Sequence, residues 1–192
     1  MERRRMVQLF EAAEQLWGSF DDFPALPPGI DPMPHLSRNT ISQPFFLVSD
    51  QDQTLINLSG EGAVWFGGER PEQLQLAVGD SVYIPAGIPS QVITHTPSVQ
   101  VRFKAETPGK EAVVWYCPDC RAVVHWRSID TQAEIPQAAY WQAVQQFNTD
   151  PALRVCPACQ SEHPRAELGD IAWPAVAQAI QSTMDKAEGE EG

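Results

Sequence analysis

The stretch Gly79-Asp80-Ser81-Val82-Tyr83-Ile84-Pro85-Ala86-Gly87-Ile88-Pro89-Ser90 decides the fold class. Gly79-Asp80 is a turn, Ser81–Ile84 alternates as a short strand does, and Pro85-Ala86-Gly87 turns the chain again. The same rhythm extends outward on both sides. Candidate strands are Phe45–Val48, Thr54–Leu58, Ala63–Phe66, Gln73–Leu76, Ser81–Ile84, Gln91–His95 and Val99–Lys104, with further breaks at Gly60-Glu61-Gly62 and Gly67-Gly68. Many short strands at close, regular spacing predict a small antiparallel barrel or sandwich.

Beyond the strands lie two knuckles, Cys117-Pro118-Asp119-Cys120 and Cys156-Pro157-Ala158-Cys159, which use all 4 cysteines of the chain. Each sets two thiolates on one tight turn, so four soft sulfur ligands close a tetrahedron around one Zn²⁺ or iron ion. Two disulfides or four free thiols are the plainer readings, and paired CxxC units with no spare cysteine argue against both. Four protein ligands leave no open position, so the expected site is structural. Residues 121–155 between the knuckles exceed the usual zinc-ribbon span and must fold back by themselves. Around them the sequence predicts strands at Val113–Tyr116 and Val123–Trp126 and a helix over Ala138–Phe147.

The chain has 192 residues, a 43% apolar fraction and a net charge of −12. That charge disfavours nucleic acid and anionic membranes as partners. No apolar run approaches the roughly 18 residues that span a bilayer. The basic start, Met1 to Arg5, is followed by an amphipathic pattern over 4–18 with Met6, Leu9, Phe10, Ala13, Leu16 and Trp17 on one stripe, which is no signal sequence. Thiolate knuckles fit a reducing compartment, so the expected location is cytoplasmic. Phe20–Pro34, with prolines at 24, 27, 28, 32 and 34, reads as an extended, wrapping arm, Pro174 to about Ala187 as a last helix, and Glu188–Glu191 as a solvated tail.

The 79–90 stretch resembles the second cupin motif, G-x5-P-x-G-x2-H, and the E-x6-G end of the first motif falls on Gln53 and Gly60. The sequence Trp115-Tyr116-Cys117-Pro118-Asp119-Cys120, then Val124-His125, then Cys156 through His163-Pro164, resembles the bacterial 3-hydroxyanthranilate 3,4-dioxygenase family over roughly residues 44–165. The resemblance implies a cupin double-stranded β-helix barrel with a C-terminal four-cysteine, rubredoxin-like metal knuckle and terminal helices. It implies four segments: 1–43, a helix and proline-rich arm; 44–110, the barrel; 111–166, the metal-binding appendage; and 167–192, a helix and acidic tail. It also implies ring opening at a barrel Fe²⁺ held by two histidines and a glutamate, a separate non-catalytic iron on four cysteines, and a homodimer for which the apolar arm supplies contacts.

This chain departs from that pattern at the chemistry. Ser90 stands at the second-motif histidine, Gln53 at the glutamate and Thr94 at the substrate-gripping arginine, and Phe45–Asp52 has no histidine. Hydroxyl and amide oxygens bind Fe²⁺ weakly, so the barrel metal is expected to be absent. Alternation along a strand turns His95 outward if Ser90, Val92 and Thr94 face inward. His35 is read as an exposed loop residue near the mouth, and His125 and His163 as packing beside the knuckles. Asp50 and Asp52 are read as turn residues, and Trp65, Tyr83, Phe103 and Trp115 as core or pocket wall. The favoured function is a non-catalytic pseudoenzyme: a partner protein or a module binding a small aromatic or polar molecule in the barrel, with Gln53, Ser90 and Thr94 as pocket candidates. The alternatives are metal-independent cupin chemistry at those residues, or an active dioxygenase with relocated ligands.

Overall fold

The computed structural model describes residues 7–15, 18–19, 22–26, 29–68, 71–107 and 109–190. Eight strands, β2 to β9, carry the barrel: β2 Met33–Asn39, β3 Phe46–Ser49, β4 Gln53–Ser59, β5 Gly62–Phe66, β6 Glu72–Leu76, β7 Ser81–Ile84, β8 Ser90–Thr94 and β9 Ser98–Lys104. They form two antiparallel layers, β2-β9-β4-β7 and β3-β8-β5-β6. Apart from the β5–β6 hairpin, successive strands cross from one layer to the other. That order is the double Greek key of a jelly roll, the double-stranded β-helix of cupins. A short β1, Phe23–Pro24, extends the first layer, and β10, Lys110–Tyr116, with β11, Val123–Asp130, extends the second beside β3.

Alternation along the strands explains which side chains meet inside. Leu47, Leu55, Val64, Phe66, Leu76, Val82, Ile84 and Val92 form one buried cluster. The opposite face of β2 and β9 offers Leu36 and Val101 to Ala13 of α1, Leu9–Glu14. Gly60 turns β4 into β5 at φ 74°, where a Cβ would sit 2.3 Å from the Pro97 carbonyl oxygen, so only glycine fits.

Helix α2, Pro136–Thr149, starts on a proline whose missing N–H costs nothing there. Its buried residues Ala139, Tyr140, Ala143, Val144 and Phe147 recur at helical spacing and join the barrel core. Helix α3, Trp173–Glu190, brings Trp173 against Phe45, ring centroids 5.6 Å apart. The buried Arg154, in the single 3₁₀ turn Pro151–Arg154, donates to the Phe147 and Asn148 carbonyls at 3.2 and 2.9 Å, closing the end of α2. Among the described residues, no helix is long and apolar enough to cross a membrane.

Several expectations need correction. The proline-rich arm was expected to run as a loop up to the barrel, yet Met33–Asn39 is a full barrel strand. The β11 strand continues to Asp130, four residues past the expected end at Trp126. Tyr83, expected in core or pocket wall, is 59% exposed on β7. Residues 4–6, 16 and 17 of the expected first helix, and Glu191 of the expected tail, lie outside the described residues.

Leu55 lies at the centre of the barrel and is 2% exposed. Leu55→Ala is expected to lower unfolding free energy by about 2–5 kcal/mol in a denaturant titration. A loss below ~1 kcal/mol would contradict this inward register of β4.

Candidate functional site

Three places on this scaffold carry chemistry: the knuckle clamp, the barrel interior and the barrel mouth. In the first, β10 runs straight into Cys117, and β11 leaves the knuckle at Val123. Both knuckles close in the same way. The Cys117 amide donates to Ala122 O and the Arg121 amide to Cys117 O, at 2.8 and 2.9 Å. The Cys156 amide donates to Ser161 O and the Gln160 amide to Cys156 O, each at 2.9 Å. Arg121 and Gln160 occupy equivalent positions with φ 62° and 63°. This conformation tightens each turn around its thiols at a small cost for a non-glycine residue.

Packing brings the two knuckles together. Trp115 of β10 stacks flat on Phe147 of α2, 4.1 Å between centroids and 7° between planes. His125 stacks on Trp115 at 5.8 Å, and His163 meets Phe147 edge-on at 5.3 Å. Both histidines pack against aromatic rings rather than reaching the thiols. The four sulfurs lie within 4.8 Å of one another, with Cys117 to Cys159 and Cys120 to Cys156 at 3.5 Å. A tetrahedron of thiolates about 2.3 Å from a metal has edges of about 3.8 Å, so the cluster fits one such ion. The thiols also press on one another. The Ala122 amide favours the Cys120 thiolate, but the thiols of Cys159 and Cys156 outweigh it and push Cys120 up to about 12. Hydrogen bonds from Ser161 pull Cys159 down to about 6. A bound cation removes that conflict, because it favours all four thiolates together.

Inside the barrel, Gln53 and Ser90 are buried. Among the described residues, the four cysteines are the one cluster of three or more His, Cys, Asp or Glu ligand atoms close enough to share a metal. Arg102 of β9, 5% exposed, donates from Nη1 to Gln53 Oε1 at 2.8 Å. A guanidinium occupies the neighbourhood in which the resemblance calls for a metal-binding carboxylate, and it would repel a divalent cation. Thr94 lies four residues along β8 from Ser90, and its hydroxyl donates to Ile41 O at 3.0 Å. His95 is exposed, as alternation predicts. A pocket of about 20 Å³ opens beside Arg102, lined by Asp22, Ser37, Gln43, Gln100 and Arg102 with the apolar Phe45, Leu47 and Leu55 among the rest. That holds about one water molecule, whereas benzene fits a cavity of about 150 Å³.

At the mouth, Lys104 Nζ lies 2.8 Å from Asp22 Oδ2 and 3.5 Å from Glu111 Oε1. The Tyr140 hydroxyl donates to Glu111 Oε2, and Gln137 Nε2 to the Asp22 carbonyl at 2.7 Å. His35 Nδ1 is 3.7 Å from Asp22 Oδ1. Burial, the largest influence, would raise the Asp22 carboxyl, but Lys104, His35 and Arg102 together with the Lys104 hydrogen bond outweigh it and hold the group well below the usual carboxylate range. Burial lowers His35, only partly countered by Asp22, so its ring is neutral at pH 7. Burial would lower Lys104 too, but Asp22 and Glu111 raise it, and it stays charged. Above this floor opens a cleft of about 750 Å³ that Gln53 also lines. A second cleft, about 500 Å³, runs between the knuckles and the outer face of β5, where Trp65 is 44% exposed. Gln53, Ser90 and Thr94 share none of these cavities.

No family model matches the chain. A curated relative, 3-hydroxyanthranilate 3,4-dioxygenase of Brucella anthropi, is 35% identical over 54 residues, 28% of this chain. The match spans 29% of that relative's length. Among solved structures, hydroquinone 1,2-dioxygenase from Sphingomonas sp. TTNP3 with 4-hydroxybenzoate bound is similar at TM-score 0.46 and 10% identity, covering 51% of this chain and 72% of that one. Salicylate 1,2-dioxygenase from Pseudoaminobacter salicylatoxidans is similar at TM-score 0.35 and 20% identity, covering 38% and 21%.

Titration of the mouth cluster has a readable sign. His35 is lowered from 6.5 in the folded state, so the unfolded chain takes its proton first, and stability falls as pH drops below about 6.5. Asp22, lowered from 3.8, adds a second loss below about pH 4. In His35→Gln the first loss is expected to shrink and the second to remain, read from denaturant midpoints between pH 7.5 and 3. Equal slopes for both proteins between pH 6.5 and 5 would exclude a buried neutral His35.

Proposed function

We propose that the protein is a non-catalytic, cupin-type small-molecule-binding module, held together by Zn²⁺ or iron on Cys117, Cys120, Cys156 and Cys159. The observation that carries this reading is the Arg102–Gln53 hydrogen bond inside the barrel. Ring opening by the chemistry the resemblance implies needs an Fe²⁺ site and room for an aromatic ring beside it. The interior instead offers a buried guanidinium, an amide and the Ser90 hydroxyl. The small pocket beside Arg102 has space for about one water, and the roomier cleft meets this group only at Gln53. Metal-independent turnover on Gln53, Ser90 and Thr94 would require the three to converge on one substrate, and the Thr94 hydroxyl is spent on Ile41.

The metal at the knuckles would be structural. It would supply charge compensation to four crowded thiolates and join two segments that the sequence separates widely. The metal is chosen by four sulfur donors, which suit Zn²⁺ and iron alike.

Elemental analysis of the wild type and of a Cys117→Ser/Cys156→Ser double variant tests this reading. The expected result is one metal per chain, lost in the variant together with a marked drop in melting temperature. Oxygen uptake with 3-hydroxyanthranilate and supplied Fe²⁺ is expected to stay at background. A second metal that survives loss of the cysteines, or iron-dependent uptake, would overturn the proposal.

A further inference from the structure

The mouth cleft, about 750 Å³, meets the barrel interior only at Gln53. Its walls are apolar, supplied by Phe23 and Met33 on one side and Ile180 and Met184 of α3 on the other. Its floor is polar, made of His35, Gln53, Lys104 and Glu111. An apolar cleft with a few convergent polar groups, at a size of about 300–1,000 Å³, is the usual form of a small-molecule site.

The floor groups restrict what can bind. Glu111 is engaged by Lys104 and Tyr140. Gln53 Oε1 accepts from Arg102, while its Nε2 donates to no described residue. Lys104 is matched by two carboxylates, and each of its bonds to them leaves its third N–H for another acceptor. Gln53 Nε2 and Lys104 Nζ therefore offer donors that call for an acceptor oxygen on the ligand. Gln137 Oε1, also on the lining, is a buried acceptor with no partner among the described residues, which suits a hydroxyl. A full negative charge there would meet Asp22 and Glu111, whose charges Lys104 and the buried Arg102 balance. Lys186, which also lines the cleft, is exposed and screened by water, so a carboxylate gains little against the cost of its desolvation. The neutral His35 ring adds no positive charge to offset this.

We propose that the mouth cleft binds a neutral, mostly apolar small molecule with one accepting oxygen, such as an alkylphenol or an aryl ketone, and disfavours the corresponding carboxylate. This rests on reading the protein as a binding module, and it places the ligand beside α3 rather than within the barrel. The acceptor oxygen lies against Gln53 Nε2 and Lys104 Nζ, and the hydrocarbon part lies between Met33 and Met184.

The test is isothermal titration of the full chain at pH 7.5 with 4-propylphenol and with 4-propylbenzoate. The phenol is expected to bind at least tenfold more tightly. Thr183→Trp, a change at an exposed α3 position lining the cleft, is expected to weaken phenol binding at least tenfold with unchanged melting temperature and metal content. Phenol binding untouched by Thr183→Trp, benzoate binding equal or tighter, or no binding of either would overturn the assignment. Metal content and oxygen uptake report on the parent reading separately. Failure here with one metal per chain and no iron-dependent uptake would sink the cleft assignment alone.

Discussion

Lys104 Nζ needs both Asp22 and Glu111, and the arrangement of the barrel mouth follows from that need. The ammonium comes from β9, Asp22 from the segment before β1, and Glu111 from β10, which in turn accepts a hydrogen bond from Tyr140 of α2. A buried ion pair of this kind adds little net stability, because desolvation offsets most of its attraction. Its effect is on specificity. Any arrangement that leaves Lys104 or one carboxylate unpaired in the interior costs several kcal/mol, roughly 3–5 when one partner is lost, so the four segments have one acceptable way to meet. The polar inner face of β2, β9 and β4 lies beside this cluster, with Asn57 and Gln100 bonded to each other there. The opposite layer, led by Val64, Phe66 and Val92, is apolar.

The same charge distribution supports the proposal that the barrel holds no metal. A barrel that holds Fe²⁺ needs anionic or imidazole donors aimed at its axis. Here a protein cation, Arg102, is already aimed there and satisfied by the neutral amide of Gln53. Burying an arginine is tolerable only with such a partner, so Gln53 belongs to Arg102 as much as to any ligand. The soft-donor cluster lies at the knuckles, on a different set of elements from the barrel interior.

Much of this was legible from local patterning. Turn residues and alternation marked seven of the eight barrel strands, and the paired CxxC spacing marked the sulfur cluster. Met33–Asn39 escaped because prolines at 32 and 34 argue against a strand. It is tolerated because β2 has only the two-residue β1 on its other side. Arg102, Lys104 and Glu111 escaped for a different reason. Charged residues in strands usually face water, and only the long-range pairing of β9 with β2 and β4, and of β10 with β3, turns them inward. Their one sequence signal is parity. Ser98, Gln100, Arg102 and Lys104 alternate with Val99, Val101 and Phe103, a pattern whose apolar set packs outside, under α1. His35 and Asp22 carry no local signal at all, since their partners lie far along the chain.

The stacking of Trp173 on Phe45 has a bearing on how the chain is made. The barrel strands end at Lys104, yet β3 lacks its second neighbour until β10 has been synthesised, and Phe45 gains its ring neighbours Trp115, Tyr140 and Trp173 only one by one after that. During synthesis, a nearly complete barrel therefore presents an aromatic face that is covered in stages and is complete only with Trp173. Native closure must wait on contacts far apart in sequence, which slows folding and exposes the nascent chain to aggregation. Quality control by chaperones at that stage would weigh on this protein more than on a barrel that completes its own core.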